Sequence, residues 1–253
     1  MAKRTKPILI LVHGLRGNHH GLRFIETGLK DDFEVINLDL PGSGVAPELK
    51  VQDLKHHVAW MHEYVSGLKT KPIIVAHSMG AIITSHYVTQ YPDDVAEKIV
   101  FLAPIFRGKA GKAVGTAGYG ALKLVLAPLS PRLKHKVMAS RPVSWVISHY
   151  LTSDKKQQKK IDEEHYRYAW RFASARSLMG DVKTATFEET VLPGEKDVLV
   201  IFGENDRLTS NKLARQRAKS AGVKYVEITQ TGHLLNFEKP KAVVKRIREF
   251  LGA

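Results

Sequence analysis

The chain has 253 residues, of which 43% are hydrophobic and 25% are charged, a composition typical of a globular protein with one or two domains. This composition excludes a disordered or fibrous chain, and the lack of cysteine excludes disulfides, zinc–thiolate sites, iron–sulfur clusters and thiol nucleophiles. No apolar run reaches the roughly 18 residues of a membrane span, and the one behind the basic N-terminus is too short for a secretion signal. We therefore expect a cytoplasmic protein without a transmembrane segment.

The net charge of +14 is concentrated in one part of the chain. Residues 105–185 contain 16 lysines and arginines against 5 acidic residues, whereas the remaining residues contain 23 against 20. Such a segment favours weak attraction to anionic surfaces, or it is only a solvated basic face. Its aromatic and basic run at 166–172 resembles a nucleic-acid surface superficially, but on a helix these side chains point in all directions. No specific nucleic-acid binding is expected.

Outside this segment, short apolar runs alternate with stretches that have helical spacing. The predicted strands are 7–12, 34–38, 72–76, 98–102, 197–202 and 224–228, and the predicted helices are 19–29, 51–68, 79–91, 210–221 and 240–251. Strands that are apolar on both faces and alternate with helices predict an α/β fold. The expected architecture is a doubly wound, mostly parallel sheet of about six strands, with ligands at the carboxyl ends of the strands.

The alternation stops between residues 104 and 193, where only helical stretches are predicted, at 108–129, 143–151 and 154–179. This pattern predicts a helical cap, residues 104–193, inserted after the fourth parallel strand. The core domain would then consist of residues 1–103 and 194–253. Most apolar side chains of the cap are expected to form its own core, and the others to line an apolar pocket.

The strongest local signal lies where the third strand meets its helix, at Ala76-His77-Ser78-Met79-Gly80. A nucleophilic serine at such a turn needs small residues two positions before and two positions after it. The usual pattern is G-x-S-x-G, and Ala76 replaces the first glycine here. Since a helix N-cap serine is an equally ordinary explanation, the pattern is decisive only together with partner residues.

A serine hydroxyl becomes nucleophilic when a base lies beside it and a carboxylate orients that base. Asp206 follows the fifth predicted strand, and His233 follows the sixth. Each of them has an ordinary explanation as a turn or capping residue. Their coincidence with Ser78 at matched strand ends favours a catalytic triad of Ser78, Asp206 and His233, with Glu204 as the alternative acid.

Two backbone N–H groups must also face the oxyanion that forms during acyl transfer. Met79, directly after the serine, supplies the first. Leu15 supplies the second from the loop after the first strand, where His13 and Gly14 support it and Gly14 permits close approach. The alternative is an ordinary strand-to-loop glycine.

These motifs resemble the α/β-hydrolase superfamily, in the branch of serine esterases, lipases and monoacylglycerol lipase-like enzymes. The turn Asp39-Leu40-Pro41-Gly42-Ser43-Gly44 and the pair Gly232-His233 followed by Glu238-Lys239-Pro240 extend the resemblance to both flanks of the insertion. A serine at the elbow argues against the related dehalogenases and epoxide hydrolases, which place an aspartate there.

The resemblance implies a serine hydrolase that cleaves a small-molecule carboxylic ester, with an apolar acyl chain, through an acyl-enzyme. No phosphate-binding motif or metal-ligand spacing is present, so no cofactor and no metal are expected. Cleavage of an amide, a thioester or a carbon–carbon bond uses the same groups and stays an alternative. A non-catalytic ligand receptor on the same fold is the other alternative.

Overall fold

Six parallel strands form the centre of the molecule in a computed structural model that describes residues 6–169 and 172–253, without the side chains of residues 109, 110, 168 and 169. They are β1 (Ile8–Val12), β2 (Glu34–Leu38), β3 (Ile73–His77), β4 (Lys98–Leu102), β5 (Asp197–Gly203) and β6 (Lys224–Ile228). Their order in the sheet is β2-β1-β3-β4-β5-β6, and each neighbouring pair is parallel. The predicted α/β class and six-stranded parallel sheet are confirmed.

Helices cover both faces of this sheet. They are α1 (Arg23–Leu29), α2 (Leu54–Ser66), α3 (Met79–Gln90), α4 (Lys109–Leu126), α5 (Pro131–Met138), α6 (Arg141–Leu151), α7 (Gln158–Ala169), α8 (Ala175–Phe187), α9 (Asn211–Ser220), α10 (Leu235–Glu238) and α11 (Pro240–Leu251), with 3₁₀ turns at His19–Leu22 and Pro92–Asp94. Alternate residues of β1 enter opposite cores: Ile10 and Val12 pack with α2 and α3, whereas Leu9 and Leu11 pack with α1 and α11. The inner strands β1, β3, β4 and β5 are therefore buried on both faces, as their apolar sequences predict, whereas the edge strands β2 and β6 carry polar residues and are partly exposed.

Side-chain caps and proline set several helix starts. The Asp53 carboxylate accepts the His56 N–H at the start of α2, and the Ser210 hydroxyl accepts the Leu213 N–H at the start of α9. In α11, Pro240 occupies the first position, where a missing N–H costs nothing. Helices α2, α9 and α11 thus begin where the sequence offers a cap or a proline.

Helices α4 to α8 lie between β4 and β5, and we call residues 104–193 the insertion. Its details differ from the sequence prediction, because α5 was not expected and the single helix expected at 154–179 is divided into α7 and α8. Short, strongly basic α5 lacks an extended apolar pattern, and Ser174 begins α8 through a reciprocal capping arrangement with Ser177. From the aromatic run at 166–172, Trp170 and Arg171 lie outside the described residues. The division into core and cap domains stays a prediction.

The strand order reverses beside β1, because β2 lies on one side of it and β3 on the other. In open α/β sheets, ligands bind in the crevice at this switch point, outside the carboxyl ends of the strands. His13 and Gly14 directly follow β1, and Ser78 directly follows β3. The fold therefore places the candidate oxyanion loop and the candidate nucleophile on the two sides of one crevice.

Candidate active site

Ser78 lies on a sharp turn between β3 and α3. Its backbone dihedrals, φ +54° and ψ −118°, fall in a region that residues with side chains rarely adopt. A Cβ at Gly80 would lie 2.5 Å from the carbonyl oxygen of His13, so α3 packs against β1 only because position 80 has no side chain. The Ser78 side chain makes no capping hydrogen bond to α3, which excludes the N-cap interpretation.

The structure brings the hydroxyl of Ser78 together with His233 and Asp206. The Ser78 Oγ is 2.8 Å from His233 Nε2, and His233 Nδ1 is 2.8 Å from Asp206 Oδ2. The side chains of His233 and Asp206 are buried. Glu204, the alternative acid, instead accepts the N–H of Gln230. Three residues predicted from separate loops therefore form one hydrogen-bonded chain.

The charge of Asp206 fixes which nitrogen of His233 carries the proton. Burial alone raises the pKa of Asp206, but His233 and the N–H groups of Leu208 and Thr209 hold this pKa below its usual range. An ionised carboxylate only accepts hydrogen bonds, so His233 Nδ1 must donate. In the neutral ring, the lone pair of Nε2 then faces the Ser78 hydroxyl, as a general base requires.

His13 holds the loop that follows β1. Its Nε2 accepts the N–H of Leu40 at 3.0 Å, so the neutral ring donates from Nδ1 to the carbonyl oxygen of Gly14, 2.8 Å away. Burial lowers the pKa of His13 to about 4, which keeps the ring neutral at pH 7. A Cβ at Gly14 would lie 2.9 Å from the Cβ of Ser78. Only glycine lets this loop approach the serine so closely.

The two N–H groups that were predicted to face an oxyanion follow these two turns. Met79 is the first residue of α3, and Leu15 lies in a turn closed by the hydrogen bond from the Gly17 N–H to the Gly14 carbonyl, 2.9 Å. Within the part of the chain that the structure describes, neither the Leu15 nor the Met79 N–H donates to another protein group. Both groups are therefore free to bind an oxygen atom beside Ser78.

Two side chains that the sequence analysis left without a role support the His233 loop. His77 Nε2 donates to the carbonyl oxygen of His233 at 3.0 Å, and burial together with nearby His233 lowers the pKa of His77 to about 3. The Glu238 carboxylate accepts the N–H of Gly232 and two N–H groups from residues 153–154, at 2.8–3.0 Å. The sequence carries a signal for each role. His77 directly precedes the serine of the elbow, and Glu238 follows the histidine loop closely.

A cavity of about 390 Å³ adjoins Ser78 and His233. Core loops and the insertion both contribute apolar side chains to its wall, among them Leu22, Ile105, Val146, Leu151, Leu234 and Phe237. Arg16, Arg107, Tyr150 and His165 are the charged or titratable residues that join them beyond the hydrogen-bonded chain and its supporting histidines. The cavity is mostly apolar with a few polar groups, the usual composition of a small-molecule site.

Neither a metal centre nor a membrane helix is found in residues 6–169 and 172–253. These residues contain no group of three metal-ligating side chains that could hold an ion. Their helices also lack the combination of length and apolarity needed to cross a bilayer.

A comparison with protein families agrees with this geometry. The model described as the alpha/beta hydrolase family matches residues 9–246, which is nearly the whole chain. The chain belongs to the alpha/beta hydrolase family. The family assignment supports hydrolase chemistry and confirms the resemblance drawn from the elbow, the histidine loop and the loop after β1. The monoacylglycerol lipase-like branch stays a prediction.

Individual relatives are distant in sequence. The uncharacterized hydrolase YugF of Bacillus subtilis strain 168 is 23% identical over 257 residues, which cover 97% of this chain and 90% of YugF. A thermophilic esterase from Thermogutta terrifontis has a TM-score of 0.76 at 19% identity, over 98% of this chain and 90% of its own. An esterase from Exiguobacterium antarcticum has a TM-score of 0.78 at 13% identity, over 98% and 93% of the two chains. At these identities the structural likeness shows the shared fold.

Proposed function

We propose that this alpha/beta hydrolase is a serine hydrolase that cleaves a carboxylic ester through an acyl-enzyme. One observation carries the proposal: Ser78, His233 and Asp206 form a continuous chain of 2.8 Å hydrogen bonds at the wall of the cavity. A buried serine needs no such partners for structural purposes, and its strained backbone is typical of a functional site. The arrangement is that of a nucleophile, a general base and an orienting acid.

In the proposed reaction, the Ser78 hydroxyl attacks the ester carbonyl while His233 Nε2 takes its proton. The resulting tetrahedral intermediate collapses, the bond to the alcohol oxygen breaks, and His233 returns the proton to the departing alcohol. Water then attacks the acyl-enzyme with His233 again as base, which releases the acid and restores Ser78. Asp206 keeps the proton of neutral His233 on Nδ1 and stabilises the imidazolium that forms in each step.

The oxyanion of both tetrahedral intermediates is assigned to the N–H groups of Leu15 and Met79. These groups belong to two rigid turns, one closed by the Gly14–Gly17 hydrogen bond and the other locked by the start of α3. Because they are positioned before the substrate arrives, they stabilise the developing charge without reorganising. Removal of one such donor typically costs roughly 10²–10³-fold in turnover.

The cavity wall supports a substrate with an apolar acyl chain. Helix α6 supplies Val146, Ile147 and Leu151, and the loop after β4 supplies Ile105. We propose that the insertion acts as a cap, because these α6 side chains cover the same cavity that Ser78 adjoins. An amide, thioester or carbon–carbon bond would meet the same catalytic groups, and the esterase and lipase-like assignment is the narrower proposal.

Labelling with a fluorophosphonate tests the activated serine directly. Intact-mass measurement of the wild type should show a single adduct, and Ser78→Ala should show none. Ser78→Ala should also lower ester turnover by roughly 10⁵–10⁶-fold, because the groups of a triad act as a unit. Circular dichroism of the variant should match that of the wild type.

Two results would contradict the proposal. An adduct or full esterase activity in folded Ser78→Ala would assign the chemistry to another residue. A folded wild type that neither reacts with the probe nor hydrolyses any member of a 4-nitrophenyl ester series from acetate to decanoate would instead favour a non-catalytic receptor.

A further inference from the structure

Arg16 occupies an unusual position in the loop that follows β1. It lies between Leu15 and Gly17, with φ at +58°, and it lines the cavity that also contains Ser78. Only 5% of its surface is exposed. The residue next to the proposed oxyanion donor therefore carries a buried cationic side chain at the wall of a mostly apolar cavity, and its charge acts on His165 in the same wall.

The guanidinium of Arg16 has no partner among residues 6–169 and 172–253. Its Nε and one of its terminal nitrogens are buried without a hydrogen bond, and no described carboxylate forms an ion pair with it. Burial, with no opposing contribution, lowers the pKa of Arg16 to about 10. The group is consequently still protonated at pH 7, and its charge in the cavity is unbalanced.

Two nearby arginines have partners for their guanidinium groups. Arg107, in the same cavity wall, donates to the carbonyl oxygen of Thr186 at 2.6 Å; burial lowers its pKa, and the nearby charge of Glu189 opposes this shift. Arg23, just outside the cavity, pairs with Glu164 at 2.7 Å. Of these three arginines, only Arg16 has guanidinium nitrogens that are buried without a hydrogen-bond acceptor in the described part of the chain.

A buried charge without a counterion is strongly unfavourable, so an arginine is expected at such a place only when an anion completes it. The planar guanidinium matches a carboxylate, with two parallel hydrogen bonds that each carry charge. One unbalanced positive charge also matches one carboxylate. Resting on the proposed serine hydrolase function, we propose that Arg16 binds a carboxylate group of the substrate and selects anionic esters.

One further feature of the cavity fits an anionic group. Half-buried His165 of α7 lies in the same wall, and desolvation followed by the charge of Arg16 lowers its pKa to about 4, so its neutral ring retains one N–H donor. The carboxylate subsite thus lies between the loop after β1 and the insertion, while the apolar wall receives the rest of the ester.

Matched substrate pairs test this selection. The 4-nitrophenyl monoesters of glutaric, adipic and pimelic acids are compared with 4-nitrophenyl alkanoates of equal carbon number, and 4-acetoxybenzoate with 4-methylphenyl acetate. The first series places a carboxylate on the acyl side, and the second places it on the alcohol side. Wild type should favour the anionic member of at least one pair in kcat/KM.

Arg16→Met should reduce that anionic preference by about 10–100-fold, mainly through KM, as expected for lost hydrogen bonds to a charged group. Arg16→Lys should retain part of the preference because it keeps the charge. Arg246→Met, which removes a cation from an exposed ion pair on α11, should leave the preference at its wild-type value. Equal losses on anionic and neutral esters in Arg16→Met would overturn the proposal.

A binding measurement separates this inference from the proposed reaction. Adipate should raise the melting temperature of Ser78→Ala in a concentration-dependent manner, and it should not do so when Arg16→Met is added. Adipate binding without any hydrolysis by the wild type would sink the serine hydrolase proposal and keep the anion site. Ester hydrolysis by the wild type without adipate binding to Ser78→Ala would keep the serine hydrolase proposal and refute the anion site.

If Arg16→Met does not fold, measurements on the wild type and on Ser78→Ala still test the carboxylate subsite. A kcat/KM ratio of anionic to neutral ester at or below one in all pairs, together with no stabilisation of Ser78→Ala by adipate, would refute the carboxylate subsite.

Discussion

The parallel sheet and the helical insertion are packed to very different degrees. Apolar side chains of the central strands are buried almost completely, whereas Val114 and Leu124 on α4 are 74% and 77% exposed. The insertion has a small core of its own, formed by Leu126, Met138, Phe172 and Leu178. The groups proposed for the chemistry follow strands of the tightly packed region, and much of the cavity wall comes from the looser one. The groups proposed for the reaction and for carboxylate selection thus lie in the tightly packed region, whereas the insertion contributes much of the apolar cavity wall.

The two regions are joined at the histidine loop. The His233 N–H donates to the carbonyl oxygen of Leu151 at the end of α6, and Glu238 ties the loop to residues 153–154. A second contact joins α2 to α8, where buried His57 lies 3.6 Å from buried Asp181. The insertion is therefore fastened directly beside the base that the proposed reaction requires.

After the loss of Ser78 itself, the largest effect is expected from the loss of the acid in the tightly packed region. Asp206→Asn should lower kcat by roughly 10⁴-fold, because an amide stabilises neither the required tautomer nor the imidazolium of His233. Ester turnover and fluorophosphonate labelling rates measure the loss. Glu204→Gln is the matched control, since Glu204 accepts a backbone N–H and does not contact His233. A larger loss in Glu204→Gln than in Asp206→Asn would refute the assignment of the acid.

Substitutions at two helical glycines compare how tightly the sheet region and the insertion are packed. Gly80→Ala should destabilise the protein by about 1–3 kcal/mol or more, because its Cβ would meet two backbone carbonyl oxygens at 2.5 and 2.7 Å. Gly118→Ala, in α4, meets nothing within 4 Å and should stabilise by about 0.5–1 kcal/mol through its higher helix propensity. Urea unfolding followed by circular dichroism measures both. Similar losses in the two variants would show that the insertion is packed as tightly as the sheet.

The contact between α2 and α8 should be sensitive to pH. Burial raises the pKa of Asp181 to about 7, so between about pH 4 and 7 the unfolded chain loses this proton while the folded protein keeps it. Asp181 therefore costs stability as the pH rises through this range, and the cost is constant above it. Nearby His57 has the opposite effect: burial lowers its pKa, which costs stability below about pH 6.5.

Asp181→Asn removes the pH-dependent cost of ionising Asp181 and leaves the effect of His57 below about pH 6.5. Its amide can donate toward His57 as the protonated carboxyl can, so the variant should match the wild type near pH 4. At pH 8 it should be more stable by about 1–4 kcal/mol, since each pKa unit corresponds to about 1.4 kcal/mol. Thermal unfolding at both pH values tests this. A variant that is less stable than the wild type at pH 8 would show that Asp181 is held there as a stabilising anion.

Much of the sheet and of the candidate site was predictable because the signals are local. Short β-rich apolar runs between helical stretches marked the strands, although the edge strands β2 and β6 also contain polar residues, and small residues around Ser78 marked the elbow. Helix α5 was missed, and α7 and α8 were predicted as one helix, because caps and prolines rather than apolar periodicity set their ends. The insertion is basic and has little apolar periodicity, so its helix bounds were the least predictable part of the fold.

Local sequence patterns were enough to predict the α/β class, the serine at the elbow and the chain order of its partners. Three contacts became visible only in the folded structure: Asp206 rather than Glu204 reaches His233, His77 and Glu238 hold the histidine loop, and Arg16 is buried without a counterion among the described residues. Such contacts join residues far apart in the chain: Ser78 and His233 are 155 residues apart, and their 2.8 Å contact depends on how separate strands and loops pack. The apolar periodicity that predicts a helix or a strand involves neighbouring residues, whereas the partner of a buried charge depends on the whole fold.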